Sequence, residues 1–105
     1  MDDLNVLYEA ALAFGPDWRR PLMELAAERL PTRDADYRAA IAQVIEVCLN
    51  AIERCIDDEY QLLGGDWSRA ASRDAEDWIG KKYGWMSNKN RKRAVSQGIY
   101  YASHG

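Results

Sequence analysis

The stretch Asp34–Leu63, DADYRAAIAQVIEVCLNAIERCIDDEYQLL, decides the fold of this chain. Within it Tyr37, Ile41, Val44, Ile45, Cys48, Ile52, Cys55 and Ile56 recur at steps of three and four, the spacing that lines up side chains on one face of an α-helix. Ala40, Val47 and Ala51 widen that stripe until much of the circumference is apolar. A helix of this kind is usually the one that others wrap around. Thr32 or Asp34 can cap its start, and Gly64-Gly65 can stop it. The expectation is a long central helix over about 33–63.

The flanking segments carry the same period. Leu4, Leu7, Tyr8, Ala11 and Leu12 follow a possible Asp3 cap, and Gly15-Pro16 ends that helix. Asp17 reads as the cap of a second helix, with Trp18, Leu22, Leu25, Ala26 and Leu30 inward, Pro21 in its first turn and Pro31 closing it. After Gly65, Asp66 reads as the cap of a fourth helix facing inward with Trp67, Ala70, Ala71, Ala75, Trp78 and Ile79, and Gly84 as its C-cap. Ser87 or Asn88 starts a fifth, with Ala94, Val95, Gly98, Ile99 and Ala102 inward. No segment alternates with period two. The fold class expected is therefore all-α: one helical domain over residues 1–105, a bundle of about five helices around the long central one.

Composition fits that reading. The chain has 105 residues, 48% apolar and 30% charged, enough for one core and too few for two. It opens Met1-Asp2-Asp3, unlike the basic start of a secretory signal, and no uncharged apolar run approaches a membrane span. A cytoplasmic protein is the expectation. Cys48 and Cys55 are seven residues apart on one helix, roughly 10 Å at 1.5 Å per residue. That exceeds the reach of a disulfide, so two reduced thiols are expected.

Charge is divided sharply along the chain. Residues 1–80 hold eight Arg against seventeen Asp and Glu, a net −9, whereas residues 81–105 hold six cations and no acid. Such a split points to a charged partner or to one end docking on the other. On a helix over 88–102, Lys89, Lys92, Arg93, Ser96 and Tyr100 share a face opposite Val95, Gly98, Ile99 and Ala102. Arg91 falls nearer the apolar side. Trp85 lies in the preceding turn, either as a cap on the core or as an exposed anchor. Asp57, Asp58 and Glu59 lie at the C-terminal end of the long helix, where the dipole disfavours negative charge, so Arg91 or Lys92 could compensate them.

Chemistry is thinly represented. No Glu-x-x-His pair accompanies Glu46, Glu53 and Asp57, and His104 stands next to the end of the chain. There is no glycine-rich phosphate loop and no nucleophile with a nearby histidine. The chain is read as no enzyme, with no cofactor, no metal and no membrane partner. Short, acidic, helical chains without catalytic motifs are typical of bacterial immunity proteins, antitoxins and phage-encoded inhibitors of nucleases. The expectation is thus a protein-binding module that occludes a charged surface of another protein, with a nuclease, a toxin or a nucleic-acid-binding complex as the candidates. Trp85, Lys89, Lys92, Arg93 and Tyr100 would form one contact face and Asp57, Asp58 and Glu59 the other. The alternative is a nucleic-acid-binding regulator using the basic helix 88–102, against which stands an acidic sequence pI of about 5.1. Opposite charged ends also permit a homo-oligomer.

Overall fold

The computed structural model of the protein describes residues 2–13 and 20–104. Five α-helices follow in order: α1 Asp2–Leu12, α2 Leu22–Arg29, α3 Ala35–Leu62, α4 Arg69–Lys82 and α5 Asn88–His104. No strand occurs among the described residues, so the all-α bundle around a long central helix is the fold. The 28 residues of α3 span about 42 Å at 1.5 Å each, close to the 45 Å longest dimension of the molecule. No described helix is long and apolar enough to cross a membrane.

Local chemistry explains the ends of α3. Asp34 has extended backbone, and its carboxylate accepts the Tyr37 N–H at 2.8 Å, so of the two candidate caps it is Asp34 that serves. At the other end Gly64 and Gly65 take φ of 64° and 84°. The Gly65 N–H donates to the Tyr60 carbonyl and the Gly64 N–H to that of Gln61, both at 3.0 Å. That pairing is a Schellman motif, and it needs residues that tolerate left-handed backbone.

The other helix ends depart from expectation in three places. Pro21 precedes α2 rather than sitting in its first turn, because a proline disfavours helical backbone in the residue before it. The N-cap of α4 is Ser68, whose hydroxyl accepts the Ala71 N–H at 3.1 Å, and not Asp66. Asp66 is drawn into the Schellman turn, donating its N–H to the Leu63 carbonyl, which moves the start of α4 and leaves Trp67 ahead of it. Gly84 is not a left-handed cap: α4 ends through Tyr83 at φ −124°, and the chain turns at once to bury Met86. The readings placed on Gly15-Pro16, Asp17 and Trp18 lie outside the described residues.

Leu7, Tyr8, Leu12, Leu25, Ile45, Ile52, Ile56 and Ile79 are fully buried at the centre. Each removes about 1.5–3 kcal/mol worth of apolar surface from water. On α3 the apolar stripe is shifted from expectation. Ala42 and Leu49 are buried, while Val44 and Val47 are 45% and 56% exposed and Ala40 is also on the surface. α2 and α5 pack along α3 more extensively than the other helices do, and the flank bearing Val44 and Val47 is left open. Among the described glycines the tightest surroundings are at Gly98 of α5, where an added Cβ would come within 2.6 Å of Ile56 Cδ1. A glycine there lets the two backbones approach.

Candidate partner-binding surfaces

The basic face of α5 is partly engaged by its own chain, while Lys89, Lys92 and Ser96 remain exposed. Lys89 Nζ lies 2.8 Å from Glu9 Oε1 on α1, and this hydrogen bond holds the Glu9 carboxyl below its ordinary range. Arg93 Nη2 donates to the Leu12 carbonyl at 3.2 Å, and Gln97 Nε2 to the same oxygen at 2.9 Å. Leu12 ends α1, where carbonyls lack helical partners and no basic residue stands in the last turn. The cation from α5 supplies what the helix dipole calls for. Lys92 alone of the three predicted contact cations is exposed with no ion pair or hydrogen bond among the described residues.

Arg91 and Lys92 do not compensate Asp57, Asp58 and Glu59. The Arg91 guanidinium lies against the backbone of Gly80, where a Cβ would sit 2.8 Å from Nη1, and it donates to Asn88 Oδ1 at 3.3 Å. Geometry explains the difference. The C-terminal part of α5, Tyr101 and Ala102, is what borders Asp57 and Gln61, while the basic N-terminal turns lie against α1 and α4. Tyr100 stacks on His104 at a centroid distance of 4.1 Å and is half-buried.

Trp85 sits as a cap on the core. It is half-buried, with its ring edge-on to Tyr8 at 6.1 Å and Tyr83 at 6.3 Å. Its carbonyl accepts from Asn5 Nδ2 at 2.8 Å. Asn5 Oδ1 in turn accepts the Ser87 N–H at 2.9 Å and Asn90 Nδ2 at 3.1 Å, and Asn90 is 2% exposed. This amide pair latches α1 to the α4–α5 turn. Neither asparagine stood out in the sequence.

The acidic end of α3 has the opposite character. Asp57, Asp58 and Glu59 are all exposed and form no ion pair among the described residues; Asp57 accepts a bond only from Gln61, at 3.3 Å. Leu62 beside them is 82% exposed. Glu59 also stands on the rim of a cleft of about 220 Å³ between α3 and α4, walled by Trp67 and Trp78. Both tryptophans, expected in the core, are half-buried and pack against its edge. Cys55 opens onto this cleft, whereas Cys48 is in the core, 1% exposed. Burial pushes the Cys48 thiol up to about 12 and raises that of Cys55, so both are poor nucleophiles. Among the described residues no three His, Cys, Asp or Glu side chains converge as a metal site. Compared with models of protein families, with curated proteins and with solved structures, the chain has no significant match.

Proposed function

We propose that the protein is a non-enzymatic protein-binding module of inhibitor or immunity type, which occludes a basic surface of a partner protein through the C-terminal half of α3. The observation that carries this reading is the contrast in how charges are used. Asp3, Glu9, Glu24 and Glu28 are each matched by a cation of the same chain, while Asp57, Asp58 and Glu59 are exposed and unmatched among the described residues. Asp36, Glu46, Asp66, Asp74, Glu76 and Asp77 are unmatched too, but only residues 57–59 form a run of three. Leu62, 82% exposed one turn further along the same helix, adds apolar area beside those carboxylates. Arg54 stands among these carboxylates, so the surface is net negative rather than of one sign. A net negative charge beside apolar surface favours association with a basic partner, by speeding encounter and rejecting acidic competitors.

The nucleic-acid alternative draws on the same helix α5 whose Lys89 and Arg93 are occupied within the chain. A gel-retardation assay with generic duplex DNA at low salt separates the two readings. Salt-sensitive binding would favour the alternative, since phosphate contact releases counterions. For the protein-binding reading, capture from host lysate is compared between wild type, an Asp57→Lys/Asp58→Lys variant and Lys92→Glu. Loss of the same captured set with the first variant and its retention with the second is the expected outcome. Equal recovery by wild type and the acidic-face variant would remove α3 as the interface.

A further inference from the structure

The cleft between α3 and α4 has a composition that one kind of side chain fits. Trp67 and Trp78 wall it, Ile56 and Ala75 line its base, and Glu59 from α3 and Asp74 from α4 stand on its rims. α4 packs chiefly on α5 and comes within reach of α3 mainly through these side chains, which is why a gap remains. At about 220 Å³ the space is smaller than the roughly 300–1,000 Å³ that drug-sized ligands occupy. It is of the size of one long side chain.

Two features of the walls bear on which side chain that is. Neither Glu59 nor Asp74 has a side-chain partner among the described residues; Asp36, Glu46, Asp66, Glu76 and Asp77 are unmatched as well, but Glu59 and Asp74 are the two carboxylates that line this cleft. Trp78 already takes part in one cation contact: Lys82 Nζ lies 5.1 Å from its ring centroid, in a trough that shares Cys55, Glu59 and Trp78 with the cleft. Trp67 is oriented by donation from Nε1 to Ser72 Oγ at 2.7 Å.

We infer that this cleft is the anchor site for an arginine side chain of the partner protein, an inference that rests on the protein-binding reading above. An arginine lays its apolar stem along an apolar floor, stacks its planar head on an indole, and donates to carboxylates on either side. An apolar side chain would bring Glu59 and Asp74 out of water with no compensation, and an acidic one would be repelled. A lysine satisfies the charge but is more strongly hydrated and offers no plane to stack. Arginine and tryptophan are also the residues that most often dominate binding energy at the centre of interfaces.

The test uses the whole protein and a capped peptide, acetyl-Ala-Leu-Arg-Leu-Ala-amide, with its citrulline and lysine counterparts. The indole N–H resonances of Trp67 and Trp78 are followed by NMR during titration, with that of Trp85 as an internal control. Saturable shifts of Trp67 and Trp78 but not Trp85 are expected. The citrulline peptide, which keeps shape and loses charge, should bind roughly tenfold or more weakly, as should Asp74→Asn with the arginine peptide. Circular dichroism of Asp74→Asn should match wild type, its residue being exposed. Absence of saturable shifts at millimolar peptide, or equal binding of arginine and citrulline peptides, would overturn the anchor. The two readings fail separately. A captured set lost with Asp57→Lys/Asp58→Lys but unaffected by Asp74→Asn leaves the interface and removes the anchor.

Discussion

At the scale of single residues, the buried amide pair Asn5–Asn90 carries more than its composition suggests. Asn90 Nδ2 donates to both the backbone and the side-chain oxygen of Asn5, 85 positions away in the chain. Asn90→Ala removes both of these donations, although Asn5 Oδ1 keeps the Ser87 N–H, and should cost about 0.5–1.5 kcal/mol in urea unfolding; no measurable change would mean water replaces the amide. This pair was not legible in the sequence. Inside Lys89-Asn90-Arg91 an asparagine reads as solvated, and only the chain folding back places its partner beside it. Asp3 offers a second residue-level outcome. Its carboxyl lies below the ordinary range, first because Tyr37 Oη donates to it at 2.7 Å and further because Arg33 Nε is 3.1 Å away. The ionised form is thus favoured in the folded protein. The stability it adds is present above the ordinary carboxylate range, about pH 4, and is lost as pH falls through the lowered folded value. Glu9 and Glu28 act in the same direction. Asp3→Asn should therefore lose less stability than wild type between pH 7 and pH 3, by urea midpoints. Parallel losses would mean that the contact adds nothing.

At the scale of elements, helix interiors were readable and their ends only partly so. The period of apolar residues identified all five helices, because a one-sided apolar pattern is a property of the segment alone. End positions depended on competition between neighbouring turns. Both Asp66 and Ser68 can cap, and the outcome turned on the Schellman bond pattern that takes up Asp66. Ser68→Ala should accordingly cost about 1 kcal/mol, while Asp66→Ala should stay within roughly 0.5 kcal/mol, as surface changes generally do. The reverse order in thermal or urea unfolding would return the cap to Asp66. The width of the α3 stripe was misjudged for a related reason. Val44 and Ala42 are equally admissible on an apolar face, and which one is covered depends on where α2 settles.

At the scale of the whole molecule, packing hinges on the α3–α5 crossing, where Gly98 admits Ile56. Gly98→Val forces an additional branched side chain into that contact and should destabilise the protein by about 1–3 kcal/mol despite better helix propensity than glycine. Combining it with Ile56→Ala should cost less than the sum of the two single changes, since each relieves the other. Strict additivity would show that the crossing is not tight. The charge division along the chain also acquires a meaning only here. Of the basic tail, Lys89 and Arg93 are bound to α1, and Arg91 lies on Gly80. Of the acidic body, Asp57, Asp58 and Glu59 face outward. Sequence by itself determined the helical class, the long central helix and the stop at Gly64-Gly65, because periodicity and left-handed backbone are local requirements. Tertiary structure alone decided which charges are satisfied within the chain, which flank of α3 stays open, and that two tryptophans wall a cleft. Those outcomes depend on distances between residues far apart in the chain, and pattern along one helix carries no information about them.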